Sequence, residues 1–437
     1  MPNFVFVMKR VAAKIVLALA TVFSLVSGCQ CNRFNPEKAG YDRVLILYSA
    51  GYNSLRDYLY EDIQDLKKGY APGKSESRVF LVVSHLSTRR GDYSTVTSPQ
   101  LVRIYNDKKT GVVLDTLKTY DGHLSDKSKM NAILSDIKRQ FPSEHYGMVF
   151  SSHASGWMPV GYYNHPEVYE PSYSAGRKGT APHGLPEGTY PHVDPELLPG
   201  EPLTKSLTMT NSASTATEME LIDFKNAIPM HLDYLLMDAC LSGGIEVAYE
   251  LKDVCDCIGF SQAEILADGF NYENLAGHLL GSGSADTRSV VDDYYQQYAA
   301  KTDKTDRSAT ISLVDCTQLD ALASLCGTLF SKYRSQLDGL DPSQVQRFYR
   351  YEKHWFYDLE DILVKAGINT EESNSLSSTL DRCILYKAAT EEFLKAYGGF
   401  KIATFSGLSM YLPCNGSAFL DSHYKELAWN KATGLVD

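Results

Sequence analysis

The sequence predicts an α/β protein in which helices cover both faces of a mostly parallel sheet. Short apolar runs alternate regularly with amphipathic helical patterns between residues 41 and 330, which is typical of parallel strands joined by helical crossovers. The chain has 437 residues, which is more than one hydrophobic core usually serves. We therefore expect two subdomains or one enlarged α/β unit.

The elements of the first half follow from apolar periodicity and from stop signals. Residues 126–141 give the clearest helix, because an apolar stripe recurs at helical spacing and Pro142 ends it. Residues 103–120 are split by the turn at Asp107–Gly111 and predict a hairpin on the sheet edge. The other predicted elements are strands at 44–48 and 79–83, a helix that begins at Ser54, and a strand that ends just before His153.

The second half continues the alternation as far as residue 314. Its predicted elements are a helix at 221–228 ended by Pro229, a strand ending at Cys240, a helix at 244–251, a strand at 256–260, a helix at 286–300 and a strand at 311–314. Residues 158–215 interrupt the pattern with prolines, glycines and a Ser/Thr-rich end. A stretch of this length without periodicity inside a domain is usually functional or mobile.

Residues 331–437 are expected to form an added C-terminal subdomain of mixed structure that packs on the core. Residues 345–352 and 381–397 have helical patterns, and residues 408–412 form a predicted strand.

The first 28 residues are predicted to be a targeting segment. A basic start with Lys9, Arg10 and Lys14 precedes an apolar run at 15–27 that is short for a membrane span. Residues 25–29 resemble the lipobox of bacterial lipoproteins, in which the cysteine, here Cys29, is lipidated. We expect an exported protein tethered to a membrane of the bacterial cell envelope through Cys29 and the polar spacer at 29–40. An uncleaved signal anchor is the main alternative.

Composition excludes several classes of protein. The net charge of −11 argues against nucleic acid as a partner, because binding phosphates requires clustered basic residues. The nine cysteines have no spacing typical of a disulfide scaffold. No metal site is expected, since the histidines form no ligand spacing and no H-E-x-x-H motif occurs.

Two apolar runs end in residues that can do chemistry together. His153 follows one run and Cys240 ends the other, so in a parallel sheet both would emerge at the edge where such sheets bind ligands. A thiolate nucleophile with an imidazole base is one arrangement for covalent catalysis. We expect the dipole of the following helix to lower the pKa of Cys240. Backbone N–H groups at Cys240 and in the turn containing Gly156 could form an oxyanion hole. A buried structural thiol is the alternative for Cys240.

A longer block of sequence resembles a known family. Residues 233–251, followed by Ser261–Glu264 and Asp268–Phe270, closely resemble the clostripain family of cysteine peptidases. The order of elements is similar to the caspase-like fold. The resemblance implies His153 as the catalytic histidine and Cys240 as the nucleophile, with the Ala154 and Cys240 amides at the oxyanion. Family members often have glycine where this chain has Ala154, so a methyl group adjoins that site.

The resemblance also implies substrate and activation. Asp238 matches the family residue associated with basic specificity, so we expect cleavage of peptides after Arg or Lys, with Arg favoured for its bidentate fit. Family members are often activated by self-cleavage between the histidine and cysteine segments, where this chain offers Arg177, Lys178 and Lys205. No cofactor is expected, and calcium is suggested only by analogy with relatives.

The leading hypothesis is therefore an exported, lipid-anchored cysteine endopeptidase. The competing hypothesis is a catalytically silent lipoprotein that keeps the fold as a peptide- or glycan-binding module. A third, cleavage after Asp, would need a basic pocket, which Asp238 opposes.

Overall fold

The computed structural model describes residues 40–50, 55–84, 98–163, 166–170, 189–191, 202, 204–205, 215–350 and 355–437. Cys29, Arg177 and Lys178 lie outside these residues, as do the predicted signal segment and nearly all of the tether. In the described part, no helix is both long enough and apolar enough to cross a membrane.

Nine strands of the described chain form one sheet. They are β1 (Arg43–Ser49), β2 (Arg78–Ser84), β3 (Gln100–Asp107), β4 (Gly111–Thr119), β5 (Tyr146–Ser151), β8 (Leu232–Asp238), β9 (Cys255–Phe260), β10 (Thr310–Asp315) and β12 (Ile384–Ala389). Their order across the sheet is β12-β10-β9-β8-β5-β1-β2-β3-β4. The central strands from β9 to β2 pair in parallel, and the outer strands pair antiparallel. The predicted mostly parallel sheet and its edge hairpin are confirmed.

The remaining strands are short and lie outside the main sheet. They are β6 (Thr189–Pro191), paired with β7 (Thr215–Thr217), β11 (Tyr357–Asp358), paired with β15 (Ser409–Met410), and β13 (Glu392–Phe393), paired with β14 (Phe400–Lys401).

The helices of the described chain pack in two groups. The first group, α1 (Arg56–Leu66), α6 (Tyr272–Leu280) and α7 (Thr287–Ala299), packs together, with α6 against β1 and β2 and α7 against β10. The second group is α2 (Lys127–Gln140), α4 (Leu221–Ala227), α5 (Ile245–Leu251), α8 (Leu319–Lys332), α11 (Thr370–Cys383) and α13 (Ala428–Thr433). Two short helices also contact the second group, α9 (Arg334–Asp338) against α8 and α10 (Leu359–Lys365) against α11. The remaining helices are α3 (Pro166–Tyr169) and α12 (Ala418–Tyr424). Helix α6 has no counterpart in the sequence-based prediction.

Two helices predicted near the C-terminus are wrong. The described residues 345–350 are not helical, and the helix predicted over 381–397 ends at Cys383. After Cys383 the chain becomes β12, which pairs with β10 at the edge of the main sheet. A free strand edge supplies backbone partners that outweigh the weak helical pattern of this stretch. The predicted strand at 408–412 is present in shortened form as β15.

The C-terminal segment is packed tightly onto the peptide that follows β5. Trp157 is buried against the rings of Tyr411 and Tyr424. The buried carboxylate of Glu246 on α5 accepts hydrogen bonds from the Tyr411 N–H and the Tyr424 hydroxyl, each at 2.8 Å. Residues far apart in sequence therefore fix the position of the loops at the sheet edge.

Candidate active site

The central strands β5 and β8 end next to each other, and each is followed two residues later by a predicted catalytic residue. The two strands pair in register, with Ser151 opposite Asp238 at their last residues. His153 and Cys240 each follow two residues after this pair. Both are buried, with exposed fractions of 3% and 0%, so the structure encloses them within the protein.

Backbone geometry holds the two turns together. Gly156 has φ +65°, and a Cβ at this position would lie 2.4 Å from the Leu241 carbonyl oxygen, so no larger residue fits the turn after His153. Leu241, directly after Cys240, itself has φ +58°, which costs on the order of 1–3 kcal/mol for a residue with a side chain. Its N–H donates to the Ala263 carbonyl at 2.9 Å. The strained turn orients the cysteine.

The backbone of Lys205 lies between Ala154, directly after His153, and Ile265. Its backbone N–H donates to the Ile265 carbonyl at 2.7 Å, and its own carbonyl accepts from the Ala154 N–H at 3.1 Å. The preceding residue, Thr204, forms an antiparallel bridge with Leu266. Residues 204–205 are therefore held as a short extended segment across the site, and the Ala154 amide is aimed at the Lys205 carbonyl despite its methyl group.

The Lys205 side chain is fully buried against acidic and hydroxyl groups. Its Nζ forms an ion pair with the Asp238 carboxylate, donates to the Ser151 hydroxyl at 3.1 Å, and lies 3.9 Å from Asp62 Oδ2. The Tyr272 hydroxyl donates to the same Asp238 oxygen at 2.5 Å. Burial opposes the charge of the ammonium, but Asp238 and Asp62 outweigh it and raise the pKa of Lys205.

The buried pair of Lys205 and Asp238 requires glycine at position 269. Gly269 has φ +64°, and a Cβ there would lie 2.4 Å from Asp238 Oδ2 and 2.6 Å from Lys205 Nζ. The Asp268–Phe270 segment therefore approaches the buried ion pair with bare backbone.

The environment shifts the titration of both predicted catalytic groups. Burial raises the pKa of the Cys240 thiol well above its ordinary value, and the nearby Glu264 adds to this. Burial, followed by the charge of Lys205, lowers the pKa of His153 well below its ordinary value. The expectation of a lowered cysteine pKa is wrong for this arrangement, because desolvation outweighs the dipole of a helix that begins only at Ile245. The thiol and the imidazole are therefore both neutral here.

The Cys240 sulfur has backbone neighbours. The Ile265 N–H donates to Sγ at 3.0 Å, and the Sγ–H is directed at the Ile265 carbonyl at 3.6 Å. This carbonyl also receives the Lys205 N–H, so the thiol and the backbone of Lys205 share one neighbour.

An acidic cavity of about 680 Å³ opens beside Asp62. Its carboxylates are those of Asp57, Glu61, Asp62, Asp65, Asp268 and Glu273, and Tyr272 and Lys301 also line it. Clustered carboxylates in a cleft attract cationic ligands. Among the described residues, no group of three or more His, Cys, Asp or Glu side chains could hold a metal ion.

The sequence-based prediction missed part of this site. Asp62 lies on α1 and Tyr272 on α6, and neither has a local pattern that marks it. Ser151 could have been found, because aligning the ends of the two predicted strands places it opposite Asp238. The burial of Lys205 has no signal in the sequence, since lysine is almost never fully buried.

Comparison with known proteins identifies the family. The clostripain family model matches residues 47–168 and 204–434. Among curated proteins, none matches the chain significantly. The fold is similar to that of an inactive zymogen C11 protease from Parabacteroides distasonis, which is 24% identical, with 90% of this chain and 99% of that chain covered and a TM-score of 0.68.

Two further similar structures are of secreted C11 cysteine proteases from Bacteroides thetaiotaomicron, the first of them named iotapain. One is 24% identical with a TM-score of 0.69, and the other, in complex with an irreversible peptide inhibitor, is 22% identical with a TM-score of 0.68. Each alignment covers 90% of this chain and 99% of the chain in the similar structure. Because the family model spans most of the chain, including the segments that carry His153 and Cys240, the protein belongs to the clostripain family of cysteine peptidases.

Proposed function

We propose that this peptidase cleaves peptide bonds after Lys or Arg by means of a Cys240–His153 dyad, and that Lys205 is its first substrate. The observation that carries the proposal is the buried ion pair between Lys205 and Asp238. A lysine is buried in this way only where a pocket is built for its charge, since an unmatched buried ammonium is strongly destabilising.

The backbone of Lys205 supports the same proposal. Its N–H and carbonyl bond to Ile265 and Ala154, as a substrate bound in extended form on the enzyme's own backbone would. The Ala154 amide then serves as one oxyanion donor, and the Cys240 amide is the second predicted donor.

The reaction follows from the chemistry of the two side chains. The Cys240 sulfur attacks the carbonyl carbon of the basic residue while His153 takes the thiol proton. The C–N bond breaks, His153 gives the proton to the leaving amine, and the peptide remains as a thioester on the sulfur. Water, deprotonated by His153, then hydrolyses the thioester and restores the thiol.

The uncut chain is expected to be latent. Lys205 fills the pocket, and the raised Cys240 pKa and lowered His153 pKa leave little thiolate at neutral pH. Of the three candidate processing residues, only Lys205 lies within the described residues, and the hydrogen bond from the Ala154 N–H to its carbonyl supports it as the processing site. We therefore propose that cleavage of the peptide bond after Lys205 releases it and opens the site. A similar structure is that of an inactive zymogen, which agrees with such a step.

Acceptors in the pocket support arginine as well as lysine. Among the described residues, neither Asp238 Oδ1 nor Asp62 Oδ2 accepts a hydrogen bond, although both are buried. A guanidinium carries five donors in a planar fork and could bond to both carboxylates, whereas the ammonium of Lys205 is 3.9 Å from Asp62. This supports the expectation that Arg is favoured.

Export and anchoring rest on the first 29 residues. We propose that the chain leaves the cytoplasm and is held at a membrane by a lipid on Cys29, in agreement with the secretion of iotapain. The test is cell fractionation. The wild-type protein should be found in the membrane fraction and be released from it by detergent, and Cys29→Ala should be absent from that fraction. A Cys29→Ala protein that remains in the membrane fraction would contradict lipidation.

The activity is tested with four fluorogenic peptides that differ only in the last residue, Arg, Lys, Asp or Asn. The wild type should hydrolyse the Arg and Lys peptides, and Cys240→Ala should hydrolyse none. Equal turnover by both proteins would remove the thiol mechanism, and a preference for Asp would overturn the role of Asp238.

A further inference from the structure

The residue before Lys205 has its own recognition contact. The Thr204 side chain is buried, and its hydroxyl donates to Glu264 Oε1 at 2.8 Å. The antiparallel bridge to Leu266 fixes the backbone, so the side chain at this position must point at Glu264. A substrate in the place of residues 204–205 would present its penultimate side chain to the same carboxylate.

Glu264 is held in place by a buried arginine. The Arg350 Nε donates to Glu264 Oε2, and a terminal nitrogen of Arg350 donates to Oε1 at 3.0 Å. The other terminal nitrogen donates to the Tyr397 carbonyl at 3.0 Å. The side chains of Glu264 and Arg350 are only 6% and 8% exposed. A bidentate, charge-assisted pair of this kind has a fixed geometry.

The paired carboxylate favours one kind of ligand group. Arg350 neutralises its charge, so the subsite offers a directed acceptor and little net attraction for a cation. A hydroxyl donor satisfies this acceptor, whereas an aliphatic side chain of the same shape would cover it with a methyl group. Sites built to bond a hydroxyl reject analogues that lack it, because a buried polar group loses its partner.

We infer that Glu264 and Arg350 form a second specificity subsite for the residue immediately before the cleaved Lys or Arg. This subsite selects threonine most strongly and serine less strongly. The inference rests on the proposed function, because it takes Lys205 as a bound substrate. It narrows the substrate class from basic peptides to peptides with a Thr-Lys or Thr-Arg sequence. The subsite joins β9–α6 loop residues to the C-terminal segment, so that segment takes part in substrate recognition.

The test uses the cleaved enzyme and fluorogenic peptides that end in Lys, with Thr, Ser, Val, Ala or Gly before it. The kcat/KM for Thr should exceed that for the isosteric Val roughly ten- to hundredfold. In Glu264→Gln the Thr/Val ratio should fall several-fold, because the acceptor is neutral and no longer aligned by Arg350. In Glu264→Leu/Arg350→Leu, which replaces the buried pair by apolar groups, the preference should reverse toward Val.

Self-cleavage gives a second measurement in the same chain. Thr204→Val should slow the appearance of cleaved protein by about the Thr/Val factor found with peptides, and Thr204→Ser should slow it less. Equal turnover of Thr and Val peptides by the wild type, or a ratio that Glu264→Gln leaves unchanged, would overturn the subsite. If no peptide is hydrolysed, the Gly-Lys reference included, the proposed function itself fails.

Discussion

The Lys205 ammonium and the Asp238 carboxylate form an ion pair in which neither side chain has any exposed surface. Asp238 ends the central strand β8, whereas Lys205 belongs to the long irregular segment between the His153 and Cys240 strands. The pair therefore ties this segment to the sheet beside both residues of the predicted dyad.

Removing the carboxylate should abolish recognition of basic residues. In Asp238→Ala, we expect kcat/KM for Lys and Arg peptides to fall at least about 100-fold, because the buried substrate cation would lose the carboxylate that it contacts directly and keep only the more distant Asp62. Cys240 of this variant should still be alkylated by a small thiol reagent, because Asp238 no longer holds Lys205 over the site, and this reaction shows that the site is folded. Retention of most activity toward basic peptides would place the specificity elsewhere.

Asp62 should distinguish arginine from lysine. Its Oδ2 is 3.9 Å from the lysine ammonium, within reach of a longer guanidinium, so Asp62→Asn should lower kcat/KM for Arg peptides more than for Lys peptides. The matched control is Asp65→Asn on the same helix, where the carboxylate is exposed and paired with Lys68 at 2.6 Å. Its Arg/Lys ratio should stay at the wild-type value, and an equal effect of both variants would argue for a general surface charge effect.

Access to the thiol should depend on Lys205. In His153→Ala, which cannot cleave itself, iodoacetamide should modify buried Cys240 more slowly than the exposed Cys414, since burial raises the Cys240 pKa. Adding Lys205→Ala should speed modification of Cys240 about tenfold or more, while buried Cys326 stays protected. Peptide mass mapping reports each cysteine separately. If the second substitution leaves the Cys240 rate unchanged, Lys205 does not cover the thiol.

Glycine at position 269 should be essential for a steric reason. Gly269 and Gly283 both have positive φ, +64° and +94°, but a Cβ has no neighbour within 4 Å at Gly283 and meets the Lys205–Asp238 pair at Gly269. Gly269→Ala should therefore lose self-cleavage and turnover of basic peptides, whereas Gly283→Ala should lose only about 1 kcal/mol of stability from backbone strain. Similar activities of the two variants would contradict the pocket geometry.

The stability of the fold should depend on pH through Glu246. Burial raises the pKa of Glu246 from 4.5 to about 7, so the folded state holds this proton more tightly than the unfolded state. The resulting stabilisation is complete below pH 4.5 and is lost as the pH rises to about 7, at about 1.4 kcal/mol per pH unit for a single group.

Glu246→Gln provides the measurement. The amide keeps an acceptor for the Tyr411 N–H and the Tyr424 hydroxyl but cannot ionise. The free energy of unfolding of the variant should therefore increase relative to that of the protein with Glu246 as the pH rises from 4.5 to 7. Urea unfolding of Cys240→Ala with and without Glu246→Gln compares them without self-cleavage. Parallel pH curves would mean that Glu246 does not carry the proton.

The sequence predicted the sheet well because its strands are encoded locally. Runs such as 44–48 and 79–83 are apolar throughout, as strands buried on both faces must be, and the stripe of 126–141 specifies a helix from its own residues. The prediction for residues 384–389 was wrong because these residues form a strand only by pairing with β10, which is far away in sequence.

The candidate site divides in the same way. His153, Cys240 and Asp238 could be predicted because each stands at or near the end of a strand whose position the sequence indicates. Asp62, Tyr272 and the burial of Lys205 could not, since their roles depend on which helix faces α1 and on the path of an irregular segment.

Self-cleavage after Lys205 is tested by following the intact mass and the new N-terminus of the purified protein with time, for the wild type, Cys240→Ala and Lys205→Ala. The wild type should be cut between Lys205 and Ser206 as its activity appears, and the other two proteins should stay uncut there. A wild-type chain that is fully active while intact, or that is cut there equally well in Cys240→Ala, would contradict this proposal.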